Sequence, residues 1–135
     1  MILVDSSALI EYYRRGGSPA VQEAVAAAIA EDALAFNGII FVEVVGFAAD
    51  ERERQELLGS FGAFHRLALD TGDFDLAARI GFDLRRKGRT VPATDLIIAA
   101  CAIRTDAELL HVDDHFDEIA SVSALTSRNP AKAAG

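Results

Sequence analysis

The run "GIIFVEVVGFA", residues 38–48, places Glu43 among Ile39, Ile40, Phe41, Val42, Val44, Val45 and Phe47. An unpaired carboxylate in apolar surroundings costs several kcal/mol or more, so such a group is normally paired, protonated or given a metal. Three other acids stand in equally unusual places. Asp5 ends the apolar run of "MILVDSSAL", Asp95 opens the apolar stretch "VPATDLIIAAC", and Asp113 follows "ELLHV". Most of the remaining acids, out of 21 in total, lie in polar, helix-surface contexts. Four carboxylates brought to one place would repel one another, and a bound hard cation removes the conflict. All-oxygen donors favour Mg²⁺ or Mn²⁺ over zinc. Such an ion keeps waters, one of which can act as a nucleophile. Each acid also has a plainer reading. Asp5 can cap the helix after the first strand, and either Asp95 or Thr94 can cap the apolar helix. Asp114 competes with Asp113, which is preferred because it is nearer the apolar strand.

The elements that must position these acids can be read from the same sequence. Ile2–Val4, "ALAF", "HRLAL", "ELLHV" and a run near Ser121–Ala124 read as strands. Between them lie helical patterns. Ser18 and Pro19 start one helix as N-cap and first residue, with Val21, Val25 and Ile29 on one face. Asn37 caps the helix carrying Glu43, which is expected to be buried. A polar helix runs from about Asp50 to Phe64. "TGDFDLAARIGFDLRRKG" is amphipathic, with Phe74, Ala77, Ala78, Gly81 and Leu84 on one face and Gly88 at its end. "ATDLIIAACAIRT" is apolar almost all round and should be buried. Strands apolar on both faces and separated by helices predict an α/β fold, a parallel β-sheet flanked by helices on both faces. In such sheets sites form beyond the carboxyl ends of the strands. The two ends of strands and two helix starts can therefore meet at one edge.

The chain has 135 residues, half of them apolar and a quarter charged, which is one ordinary domain. No apolar run approaches the roughly 18 residues needed to span a bilayer, so no membrane is expected. The N-terminus lacks a basic segment and reads as a strand rather than a signal peptide. A single cysteine, Cys101, excludes an intrachain disulfide and suits a reducing, cytoplasmic setting. The net charge of −8 argues against whole-surface affinity for nucleic acid but leaves room for a local basic patch.

In their order and spacing, "ILVDSSALIEYY", "FVEVVGF", "VPATDLIIAACA" and "LLHVDDHFDEIA" resemble the PIN-domain family, specifically the VapC-type toxins of toxin–antitoxin pairs. The resemblance covers residues 1–126 as one PIN-like ribonuclease domain, an α/β/α sandwich, and leaves 127–135 as a tail. It places the family's acidic quartet on Asp5, Glu43, Asp95 and Asp113 as catalytic and metal-binding residues. Ser7 matches a hydroxyl position beside the metal, and Ser6 stands where threonine is more usual. Thr94 and Asp117 are expected around the quartet. The resemblance implies an Mg²⁺- or Mn²⁺-dependent endoribonuclease that hydrolyses phosphodiester bonds of transfer or ribosomal RNA, leaving 5′-phosphate and 3′-hydroxyl ends. It also implies a homodimer and a VapB-type antitoxin whose C-terminal segment covers the active site.

An RNA substrate requires positive surface. Arg85, Arg86, Lys87 and Arg89 in "LRRKGR", and Arg14 with Arg15, are the candidates, although both clusters also suit helix C-termini. His111 and His115 flank Asp113 but are expected to lie outside the metal's ligands. A phosphate-receiving signalling domain would need a lysine after a late strand, and the only lysines are Lys87 and Lys132. An aspartyl-phosphate phosphatase would need an acid at Ser7. A catalytically silent PIN-like protein that only binds a partner is the remaining rival, and the intact quartet argues against it.

Overall fold

The computed structural model describes residues 1–133. Five strands form one wholly parallel sheet in the order β3-β2-β1-β4-β5. They are β1 (Ile2–Val4), β2 (Leu34–Phe36), β3 (His65–Arg66), β4 (Glu108–Leu110) and β5 (Ser127–Arg128). The helices are α1 (Ser6–Tyr13), α2 (Pro19–Ala30), α3 (Gly38–Val45), α4 (Glu51–Gly62), α5 (Thr71–Arg86), α6 (Ala93–Arg104), α7 (Asp114–Ala120) and α8 (Pro130–Ala133). They cover both faces of the sheet, as the apolar strands predict. Leu3, Val4, Leu34, Ala35, Leu109 and Leu110 are buried, and Val21, Ile40, Leu84, Ile98 and Phe116 pack over them. Among the described residues, no helix is long and apolar enough to cross a membrane.

Helix starts follow local chemistry. Ser18 Oγ accepts from the amide of Val21, with Pro19 in the first helical position. Asn37 is fully buried, and its Oδ1 accepts from the amides of Ile39 and Ile40, which aims α3. Asp70 and Asp73 form a reciprocal capping box at the start of α5.

Several expectations shift. "HRLAL" contributes only His65–Arg66 to the sheet. The last strand is Ser127–Arg128 rather than a run near Ser121–Ala124, so the strand lies in sequence that reads as a loose end. An edge strand of two residues has no periodicity to announce it. α8 follows and packs against α2; Ala134 and Gly135 of the expected tail lie outside the described residues. The face of α5 is rotated by about one residue: Asp73, Ala77, Ile80 and Leu84 are buried, while Phe74 is exposed. The physical reason is Arg104. Its Nε donates to Asp73 Oδ1 at 2.6 Å and its Nη2 to Asp73 Oδ2 at 3.1 Å and to the carbonyl of Ala68 at 2.8 Å, so a charged residue is the one drawn inward.

The sheet order creates one crevice. From the central β1, the chain builds outward through β2 and β3, then crosses to β4 on the other side. The carboxyl ends of β1 and β4 are adjacent strands whose connections leave in opposite directions, the place where open α/β sheets bind ligands.

Candidate active site

Two bonds donated by backbone amides close the base of the crevice. The amide of Asp5 donates to Leu110 O at 2.9 Å, and the amide of Val112 donates to Ser7 Oγ at 3.0 Å. These bonds hold the end of β1 and the loop after β4 together. Asp5 is the N-cap of α1 and is only 3% exposed. Its Oδ2 accepts from the Ser7 amide at 3.0 Å and from Ser7 Oγ at 2.6 Å. Its Oδ1 is buried with no hydrogen-bond partner. The capping and metal-binding readings of Asp5 are therefore compatible, one oxygen serving each.

Asp113 repeats the arrangement at the start of α7. Its Oδ1 accepts from the His115 amide at 2.9 Å. It lies two residues beyond the His111 that leaves β4, not directly on the strand end. Asp114 points to Lys132 at 3.0 Å and is largely exposed, which separates it from the crevice. Asp95 stands in the first turn of the buried helix α6 and is itself buried. Neither Asp95 nor Thr94 caps that helix. Pro92 occupies the N-cap without a side-chain bond, because its fixed φ already sets the entry. Glu43 comes from α3 and is half-buried rather than buried, since Val42 and Phe47 beside it face outward. Ser6 Oγ donates to Glu43 Oε1 at 3.1 Å.

Asp5, Glu43 and Asp95 each feel the charge of Asp113. Burial raises the pKa of Asp5 despite the Ser7 bonds, and the charge of Asp113 adds to the rise. Burial and then the charge of Asp5 raise Glu43, with smaller contributions from Asp95 and Asp113. Asp95 is raised to about 6, mainly by burial, with the charges of Asp5 and Asp113 partly offset by the His115 bond. Carboxylates held this way are unfavourable as a bare set, and one of their buried oxygens is unbonded. That is the condition a divalent cation relieves, and the donors are the hard oxygens that suit Mg²⁺ or Mn²⁺.

His115, expected outside the metal's ligands, lies directly against two of the acids. Its Nδ1 lies 3.0 Å from Asp95 Oδ2 and 3.2 Å from Asp113 Oδ1. One donor atom each from Asp95, Asp113 and His115 falls within a span of 4.8 Å. Burial opposes its protonation, but the bond to Asp95 and the charges of Asp113 and Asp95 prevail and raise its pKa. His111 is different: it is fully buried against Phe116, its Nδ1 accepts from the Asp113 amide at 3.1 Å, and burial lowers its pKa. Asp117 sits 3.8 Å from His111 Nε2 and takes Lys132 at 2.9 Å, so it is joined to the site only through His111. Thr94 is exposed and makes no side-chain hydrogen bond among the described residues.

Arg14 pairs with Glu11 at 2.6 Å and lines, with Ile10, Tyr13, Phe47, Leu57 and Glu43, a groove of about 350 Å³. The Arg104–Asp73 clasp joins the end of α6 to the start of α5, so the two helices run antiparallel and the basic turn after α5 lies at the Asp95 end of α6.

The sequence profile of the PIN domain matches residues 2–122. Ribonuclease VapC11 of Mycobacterium tuberculosis is 38% identical over 129 residues, covering 93% of this chain and 96% of that protein. The FitAcB crystal structure from Neisseria gonorrhoeae superposes with a TM-score of 0.79 at 21% identity, covering 97% of this chain and 99% of the other. A toxin–antitoxin complex from Klebsiella pneumoniae gives 0.74 at 17%, covering 96% and 98%. The fold is thus shared with solved structures, and this chain belongs to the PIN domain family. Its curated relatives are VapC ribonucleases matched over nearly their whole length.

Proposed function

We propose that the chain is a divalent-metal-dependent endoribonuclease, the toxin of a VapBC-type pair. The observation that carries the reading is the convergence of Asp5, Glu43, Asp95 and Asp113, with a buried Asp5 oxygen left without a partner. These four would hold Mg²⁺ or Mn²⁺. Bound there, a divalent ion supplies positive charge for the scissile phosphate and lowers the pKa of water for in-line attack. The chain's own residues set up the rest. Ser7 fixes one Asp5 oxygen and leaves the other without a protein partner, and Ser6 orients Glu43. His111 holds the Asp113 turn through its backbone amide. The basic turn of Arg85, Arg86, Lys87 and Arg89 is suited to the phosphates that flank the cut, with Arg14 and Arg15 on the α1 side.

The substrate on this reading is structured RNA, transfer or ribosomal, cut to 5′-phosphate and 3′-hydroxyl ends. The partner is a VapB-type antitoxin. A partner segment would cover the crevice from the groove, where Ile10, Tyr13 and Phe47 present apolar surface next to Glu43. The chain is further proposed to form a homodimer, which sedimentation of the partner-free protein tests. The activity is tested by incubating that protein with total RNA and Mg²⁺ or Mn²⁺ and mapping the ends. Cleavage is expected to stop with chelator and to fall by more than about 100-fold in Asp5→Asn or Asp95→Asn. Cleavage that ignores chelator and survives Asp95→Asn refutes the reading.

A further inference from the structure

The four acids form an all-oxygen set, but a ring nitrogen lies close to two of them. His115 Nδ1 is 3.0 Å from Asp95 Oδ2 and 3.2 Å from Asp113 Oδ1. Adjacent ligands on an octahedral ion bound at about 2.1 Å stand about 3.0 Å apart. The ring nitrogen therefore stands from each aspartate oxygen at the separation of neighbouring ligands, and all three atoms lie within 4.8 Å of one another. The backbone holds the ring in place, since the His115 amide donates to the Asp113 oxygen that its own Nδ1 approaches. Asp5, whose charge acts on Asp95, keeps a buried and unpartnered Oδ1.

We propose that His115 ligates the divalent ion through Nδ1 and that this nitrogen turns the centre's preference from Mg²⁺ toward Mn²⁺. The inference rests on the reading that the acids hold a divalent ion. Mg²⁺ is a hard ion that takes oxygen donors almost exclusively, whereas imidazole suits the first-row transition metals. Mn²⁺ is the ion at home with both the carboxylates and the ring. His111 does not compete for this role. Its Nδ1 is occupied by the Asp113 amide, and its Nε2 faces Asp117 at 3.8 Å. His65 is engaged with Asp32 on the far strand β3. A nitrogen signal from the centre would therefore come from His115. The competing arrangement is a protonated His115 that only hydrogen-bonds the two aspartates while the ion sees oxygen alone.

The experiment uses the purified full chain loaded with Mn²⁺. Pulsed electron paramagnetic resonance reads nitrogen coupling to the bound ion, and Mg²⁺ competition for Mn²⁺ reads the preference. The wild type is expected to show nitrogen coupling that is absent in His115→Asp and His115→Gln. His115→Asp, which restores an all-oxygen set, should lower the Mn²⁺ over Mg²⁺ preference by at least about tenfold. Bound Mn²⁺ without nitrogen coupling, or a preference unchanged in His115→Asp, overturns the inference alone. Failure to bind Mn²⁺ at all overturns it together with the metal centre. Nitrogen-coupled Mn²⁺ in a protein that cuts no RNA upholds the ligand while the nuclease reading falls.

Discussion

Asp5 and Asp113 show how one local rule builds both halves of the centre. Each is an N-cap, each accepts from the amide two residues on, and the side chain two residues on then meets the cap carboxylate. In the first case that side chain is Ser7, in the second His115. Burial, with the charges of Asp5 and Asp113 added to it, raises the pKa of Asp95 to about 6. Between its ordinary value and about 6 the folded chain binds more protons than the unfolded one, so stability falls as pH rises through that window. His115 acts in the same direction: its raised pKa gives stability that is complete below its unfolded value and disappears as pH rises past its folded one. Glu51 and Asp114, held low by Gln55 and Arg54 and by Lys132 respectively, act oppositely and lose their stabilisation at acid pH. The metal-free protein should thus be most stable at about pH 4 to 4.5, at the low end of the Asp95 window and above the acid range where Glu51 and Asp114 lose their stabilisation. Asp95→Asn should stabilise it at pH 7 by at most about 3 kcal/mol, two pKa units' worth, with the gain vanishing toward pH 4. Thermal melts across pH with chelator measure this. Added Mn²⁺ should raise the melting temperature of the wild type and not of the variant; a variant that melts lower than wild type at pH 7 contradicts the repulsion.

At the scale of elements, α6 is the piece on which the site depends, because it carries Asp95 and packs against α5 along its length. Arg104 fastens this pair by reaching the fully buried Asp73 and the carbonyl of Ala68. Removing only the cation leaves a buried carboxylate without compensation, which is worse than removing both charges. Arg104→Met should lower Tm by more than about 5 °C, and Arg104→Met/Asp73→Asn should recover part of the decrease. A double variant less stable than Arg104→Met would show that the pair is not the clasp. This pair also marks where sequence reasoning runs out. The caps Ser18 and Asn37 and the acidic quartet are legible because a cap is decided within three residues and an acid among apolar neighbours is conspicuous at once. Asp73 has the sequence context of an ordinary surface acid, since its partner lies 31 residues away. His115 is hidden for a similar reason: its contact with Asp113 is local, but its contact with Asp95 exists only once α6 and α7 pack. The strands β3 and β5, two residues each at the sheet edges, carry no pattern of their own.

Across the whole molecule, a chain of net charge −8 must present positive surface somewhere if it is to hold RNA. Most of its basic side chains are committed. Arg14, Arg52, Arg54, Arg79, Arg104, Arg128 and Lys132 are all in ion pairs with acids. Among the described residues, the cations outside such pairs are Arg15, Arg66, Arg85, Arg86, Lys87 and Arg89, and Arg66 lies over the rings of Phe36 and Phe41. The turn after α5 therefore holds most of the free positive charge, at the end of the helix pair that carries Asp95. Helix-dipole complementarity accounts for Arg85 and Arg86 in the last turn, but Lys87 and Arg89 lie beyond it. Reversing Arg85, Arg86 and Arg89 to glutamate should weaken RNA binding at low salt. It should also flatten the dependence of log affinity on log salt by about 0.7 for each single-strand phosphate that is no longer neutralised. Metal affinity should stay within about threefold, because these charges are solvent-exposed and screened over roughly 10 Å at 0.1 M salt. Filter binding over a salt series, with Mn²⁺ titration as the control, separates the outcomes: an unchanged slope takes the turn out of RNA recognition, whereas a reduced slope with metal binding intact assigns it to the phosphates.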